Sequence, residues 1–155
     1  MKVFLDTTYF LPTLGVSLQG IQWDIAFKVQ RENEALVSEL TLFELSVKGS
    51  KYVNSGIIPV ENVVLGVNSL LRDDRFRKIG FHEPPIQRTA IQLRTKLRDY
   101  VDCLILSTAA HTCDVLLTED IKLKDMGSEM EKDLKGINPG FSIRTWDETR
   151  LGFSD

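Results

Sequence analysis

Two of the most apolar short runs in this chain end in polar segments that carry an aspartate, and this ending constrains the fold more than any other feature. Lys2–Leu5 runs straight into Asp6-Thr7-Thr8, and residues 114–117 run into Thr118-Glu119-Asp120. A short run rich in β-branched and aromatic residues, bounded by turn formers, reads as a buried strand. Residues 35–38 form a further such run, and 78–82 and 141–146 are weaker candidates.

Helical patterns separate the strands. Ile21, Ile25 and Val29 give an amphipathic helix over 21–31, after a stretch punctuated by Pro12, Gly15 and Gly20. Leu40, Phe43 and Val47 share one face of a second helix, which ends at Gly49 or at the Gly56 turn. Val63, Val64, Val67 and Leu71 mark a third over 62–72. Glu83-Pro84-Pro85 starts a fourth, with Ile86, Ala90, Leu93 and Leu97 as its stripe, ending near Arg98. Asp102 opens a fifth over 103–111 that is apolar nearly all round, and 122–136 is charged and loosely helical. Strands alternating with helices imply right-handed crossovers. The expected fold is therefore α/β, a three-layer α/β/α sandwich around a central, mostly parallel sheet of about five strands.

The chain has 155 residues and 43% hydrophobic content, which suits a single domain over 1–155 and is too short for two ordinary ones. A net charge of −3 excludes a polycation, so partners cannot be read from overall charge. Arg72, Arg75, Arg77, Lys78, Arg88, Arg94, Lys96 and Arg98 form a basic mid-chain segment, either a solvated surface or a flank that tracks phosphates. Cys103 and Cys113 sit in apolar surroundings without zinc-ligand spacing and read as reduced core thiols. Neither a signal peptide nor a membrane-length apolar run is seen, and a cytoplasmic protein is expected.

In parallel α/β sheets, ligands bind beyond the carboxyl ends of the strands, where Asp6 and Asp120 fall. Asp102, at the start of the helix before the strand leading to Asp120, belongs near the same rim. Glu44 lies four after Leu40 and three before Val47, on the apolar face of its helix, and so faces inward. Two like charges about 4 Å apart repel by roughly 4 kcal/mol at an effective dielectric of 20. Converging carboxylates must therefore take up protons or bind a hard divalent cation, and all-oxygen sites suit Mg2+ or Mn2+. Phosphodiester hydrolysis is the chemistry such a site performs. Each acid also has an ordinary role when taken singly. Asp6 and Asp120 can serve turns, Asp102 can cap its helix, and Glu44 completes a T-x-x-E capping box with Thr41.

Four segments, Lys2-Val-Phe-Leu-Asp6-Thr-Thr, Leu36-Val-Ser-Glu-Leu-Thr41-Leu-Phe-Glu44-Leu, Asp102-Cys-Leu-Ile-Leu-Ser-Thr-Ala-Ala and Val115-Leu-Leu-Thr118-Glu-Asp120, resemble the ordered acidic motifs of PIN domains. The resemblance covers the chain from Lys2 to about Trp146. It implies a Mg2+- or Mn2+-dependent endoribonuclease, a hydrolase often found as the VapC-type toxin of a toxin–antitoxin pair. It also implies a homodimer inhibited by a small antitoxin. On that resemblance Asp6, Glu44, Asp102 and Asp120 are the catalytic, metal-binding acids, and Thr7, Thr8 and Thr118 are supporting hydroxyls. Asp99, three residues before Asp102, competes for the third acidic position or supports it. The Tyr9-Phe-Leu-Pro-Thr-Leu-Gly-Val stretch is similar to stand-alone archaeal members of the family. The chain departs from many relatives after the fourth acid, where Ile121-Lys122-Leu123 replaces an aromatic and a charged insertion follows, expected to be a solvated helix.

His82 and His111 lie near no nucleophile and read as structural. Trp23, Trp146 and Tyr100 can stack bases, although aromatics at such spacing usually pack a core. Two other functions compete. A phosphoryl-transfer protein built on Asp6 is disfavoured by Thr8 where a second acid is needed, and a non-catalytic PIN-like scaffold binding RNA or protein is disfavoured by retention of all four acids.

Overall fold

The computed structural model describes residues 1–125 and 127–150. Five strands, β1 Lys2–Leu5, β2 Glu34–Ser38, β3 Phe76–Ile79, β4 Val115–Leu117 and β5 Ser142–Arg144, form one sheet in the order β3-β2-β1-β4-β5. Every neighbouring pair is parallel. Val3 lies opposite Ala35 on one side and Val115 on the other, so β1 occupies the centre. The helices are α1 Ile25–Glu32, α2 Glu39–Asn54, α3 Val60–Arg72, α4 Pro84–Leu93, α5 Tyr100–Thr112, α6 Ile121–Asp125, α7 Gly127–Ile137 and α8 Trp146–Arg150. A 3-10 helix, Thr7–Leu14, follows β1 directly.

Side chains alternate across a strand, and the central strands are buried on both faces. Val3 and Leu5 join Phe10, Leu14, Ile25, Leu45 and Phe76 in one core beneath the 3-10 helix and α1 to α3. Phe4, Leu36 and Leu116 join Leu93, Cys103, Leu106 and Leu134 in the other, beneath α4, α5 and α7. Each fully buried Leu or Phe contributes about 1.5 to 3 kcal/mol of transfer free energy, so both layers hold the sheet. This is the three-layer α/β/α arrangement that the alternation of strands and helices predicts.

Several elements differ from the reading of the sequence. α1 starts at Ile25 rather than Ile21, because Leu18 and Ile21 form a β-bridge closed by Gly20 at a positive φ of 79°. β3 begins two residues earlier than 78–82, since Phe76 is drawn into the core, edge-to-face with Phe10 at 5.3 Å. α4 stops at Leu93, and β5 yields to α8 at Trp146. Residues 122–136 fall largely within two helices, α6 and α7, and Leu123, Met130 and Leu134 are buried, so the insertion is no solvated helix.

The largest correction concerns α2. It runs through Gly49 to Asn54 and buries Thr41, Leu45 and Gly49, whereas Phe43 is 60% exposed and Val47 is also exposed. Two of the three residues of the expected apolar face thus point outward, while Leu40 packs against the second core. α3 approaches α2 so closely that a Cβ on Gly49 would stand 2.8 Å from Val63 Cγ1. Small residues mark this contact, and hydrophobic spacing does not register them.

Among the described residues, no helix is long and apolar enough to cross a membrane. Cys103 and Cys113 are buried and unpaired by disulfide.

Candidate active site

The strand order places the carboxyl ends of β2, β1 and β4 side by side, with the connections from β1 and β4 departing to different faces. Such a switch point opens a crevice at the strand ends. Asp6 lies there, buried, and the neighbouring elements hold it. Its backbone N–H donates to Leu117 O at 3.0 Å, and its Oδ1 accepts from Thr7 N at 2.7 Å, capping the 3-10 helix. Its Oδ2 accepts from Thr118 Oγ1 at 2.8 Å and, more weakly, from Thr8 Oγ1 at 3.4 Å. Thr118 is itself fixed by its N–H bond to Arg144 O. The hydroxyl of Thr7, one residue on from Asp6, donates to Glu44 Oε2 at 2.6 Å. Asp6, Thr7, Thr118 and Glu44 thus form one connected network.

Asp120 joins through Thr118, whose Oγ1 accepts the Asp120 N–H at 3.1 Å, while Asp120 Oδ1 accepts from Lys122 N at 2.8 Å. Asp99 caps α5, accepting from Val101 N at 2.8 Å. Asp102 therefore sits inside the first turn and is not the cap, so the two acids occupy different places on the helix. A capping role for Glu44 is likewise excluded. Ser38 caps α2, accepting from Leu40 N at 3.1 Å, and Glu44 stands in the second turn, while Thr41 Oγ1 is buried without a partner.

Electrostatics bind the acids together. Burial raises the pKa of Asp102 to about 6 from 3.8, and the anions Asp99, Asp120, Glu44 and Asp6 each push in the same direction. Burial also raises that of Glu44, helped by Asp6 and Asp99 and opposed by the Thr7 hydrogen bond and by Lys48, whose Nζ is 3.8 Å away. The acids share one negative field, with Lys48 at its margin. Among the described residues, no group of three or more His, Cys, Asp and Glu side chains stands close enough to form a ready metal cage. The donor chemistry nonetheless fits Mg2+ or Mn2+, because every candidate donor is a hard oxygen and Mg2+ is commonly held through one or two carboxylates with water filling the other positions.

The tertiary structure adds residues that the sequence did not single out. Tyr9 Oη donates to Glu119 Oε1 at 2.5 Å, and Trp146 N donates to the same oxygen at 3.1 Å. This ties Glu119 to β1 and α8 while its neighbours Thr118 and Asp120 serve the network. Only the adjacency of Glu119 to Asp120 could have pointed to it. The basic segment is largely spent on structure. Arg75 pairs with Asp73, Arg77 with Glu34 and Lys96 with Asp133, while Lys78 donates to Asp73 O. Arg77 and Lys78 also charge the edge strand β3. His111 is within 3.0 Å of Thr89 Oγ1, with its pKa lowered by burial, as suits a structural histidine.

A family model for the PIN domain matches residues 3–129. The chain belongs to the PIN-domain family, whose members are generally nucleases. Among solved structures, it is similar to VapBC2 from Rickettsia felis bound to a DNA fragment from their promoter, with 21% identity, a TM-score of 0.61, and 95% of this chain and 100% of that chain covered. It is also similar to VapBC-1 from nontypeable Haemophilus influenzae, with 17% identity, a TM-score of 0.60, and 95% and 99% covered. At these identities the likeness concerns the fold. No curated protein matches the chain.

Proposed function

We propose that this chain, acting as one PIN domain over 1–155, is a Mg2+- or Mn2+-dependent endoribonuclease, with Asp6, Glu44, Asp102 and Asp120 as its catalytic acids. The observation that supports this most is Asp102, whose carboxyl is raised to about 6 by burial and by four other acids drawn from β1, α2, α5 and the end of β4. Acids so distant in sequence do not share a field by accident of one turn. Perturbed titration at a strand-end crevice marks a functional site. When bound, the divalent ion would acidify a water and screen the phosphodiester. The chain's own groups orient the site: Thr118 and Thr7 hold Asp6 and Glu44 by their hydroxyls, and Asp99 anchors the helix that carries Asp102.

The partners implied are RNA as substrate, a small antitoxin and a second copy of the chain. An exposed apolar row supports a protein partner, since Phe43 and Val47 flank Glu44 on α2, and Val60, Val64 and Leu71 are exposed on α3. A protein seated on the α2 row lies beside the site and can block it. The similarity to VapBC structures supports a partner protein of the toxin–antitoxin kind.

Incubating the protein with mixed RNA tests the reading. Cleavage is expected with Mn2+ and none with EDTA, and Asp6→Asn with Asp120→Asn should abolish it. Equal cleavage by the double variant removes the site assignment.

A further inference from the structure

Of Trp23, Trp146 and Tyr100, the aromatics the sequence offers for base stacking, Trp23 is the one the fold leaves uncovered. It is 71% exposed, whereas Trp146 packs against the core and Tyr100 is partly buried, its Oη 3.4 Å from Gln87 Oε1. It stands between two recesses. One of ≈ 380 Å³ is lined by Trp23, Phe27, Lys28, Arg31 and Arg75 among others, and a second of ≈ 490 Å³ shares Trp23, Asp24 and Lys28 with it.

The charge around the ring selects the occupant. The Arg75 guanidinium lies over the Phe27 ring at 5.4 Å and is held there by Asp73. Lys28 is 3.1 Å from Asp24, and Arg31, on the same helix, has no ion pair among the described residues. Asp73 and Asp24 offset Arg75 and Lys28, which leaves the charge of Arg31 uncompensated and the surface net positive, as suits an anion. Val16, Leu18 and Ile21 line the larger recess, whereas the walls of the smaller carry no aliphatic side chain, so the smaller, cationic hollow is the one suited to a stacked base rather than to a protein hot spot. Stacked bases with phosphates beside arginine and lysine are the usual occupants of such a surface.

We propose that Trp23 and Arg31 form a second, non-catalytic contact for single-stranded RNA, with a base stacked on the indole and its phosphate at Arg31 or Lys28. Topology places this contact usefully. α1 lies in the crossover from β1 to the parallel β2, so its first residues lie towards the carboxyl edge of the sheet that holds Asp6, while Arg31, at its end, and Arg75, just before β3, lie towards the amino edge. A strand gripped at Trp23 can continue into the acidic crevice. The inference rests on the RNA reading of that crevice and names how the substrate is held outside it.

The test is fluorescence anisotropy of a labelled, mixed-sequence, single-stranded RNA dodecamer in EDTA, where no cleavage is expected. Trp23→Ala should weaken binding about tenfold, the scale of one lost stack, Trp23→Phe should recover most of it, and Arg31→Ala should weaken it with a shallower salt dependence. The variants should melt with the wild type, since Trp23 is mostly exposed. If the wild type binds the dodecamer and Trp23→Ala binds it equally well, this contact is refuted while the nuclease reading stands. If the wild type binds no RNA, this contact is refuted, and cleavage with Mn2+ decides the nuclease reading separately. If Trp23→Ala keeps RNA affinity but changes the oligomeric state by size exclusion, the surface is a protein interface and the proposal is overturned.

Discussion

Replacing Asp102 by Asn should stabilise the metal-free protein at neutral pH. In the folded chain, burial and four neighbouring anions raise its carboxyl to about 6, against 3.8 when free of them. Folding therefore favours the protonated form. The stability this group contributes is complete in acid, below the unfolded value of 3.8, and is lost as pH climbs through about 6. A displacement of that size corresponds to roughly 3 kcal/mol, which solvent screening of a partly exposed side chain reduces to about 1 kcal/mol. For a chain of this length, about 1 kcal/mol moves Tm by about 2 to 4 °C. Calorimetric melts in EDTA should thus place Asp102→Asn a few degrees above the wild type at pH 7.5 and level with it near pH 4. With Mn2+ at about 100 times its Kd, the wild type should gain about 2.7 kcal/mol and the variant much less, reversing their order. If Asp102→Asn melts below the wild type in EDTA at pH 7.5, Asp102 is not held against like charges and the shared field is refuted.

Three further outcomes follow from named contacts. Thr118→Val keeps the shape but removes the hydroxyl that donates to Asp6 and accepts from Asp120 N, and should cost about 1 to 3 kcal/mol in urea unfolding together with most of the cleavage activity. Tyr9→Phe leaves Glu119 with one fewer donor and should destabilise by about 1.5 to 3 kcal/mol, since the acceptor is a carboxylate; an unchanged urea midpoint would remove the structural role given to this bond. Gly66→Ala would set a Cβ 2.4 Å from Leu14 Cδ2, and should lower stability by about 1 to 3 kcal/mol in the same assay while leaving Mn2+ binding intact.

Much of the fold was legible because it rests on local patterns. Residues 2–5, 35–38 and 114–117 are short, apolar and bounded by turn formers, and each became a parallel strand. The stripe of Ile86, Ala90, Leu93 and Leu97 found residues that are all buried, although α4 itself ends at Leu93 and not near Arg98. The same reasoning failed on α2, where Gly49 and Thr41 face the core and Phe43 faces outward, because close helix approach is marked by missing side chains. Glu44 thus points to the acids by a route other than the one its spacing implied. The sequence placed the start of α5 at Asp102, whereas the backbone starts it at Tyr100 with Asp99 as the cap, because either aspartate can begin a helix and local pattern does not choose between them.

By itself, the sequence determined which segments are strands, that they alternate with helices, and that Asp6 and Asp120 follow the strands' carboxyl ends. Tertiary structure alone decided that β1 lies between β2 and β4, that Thr118 reaches Asp6 across 112 positions, and that Trp23 remains in solvent. The physical reason is range. Periodicity and turn chemistry act over a few residues, whereas strand order and the field shared by separated carboxylates arise only when both layers pack on the sheet together.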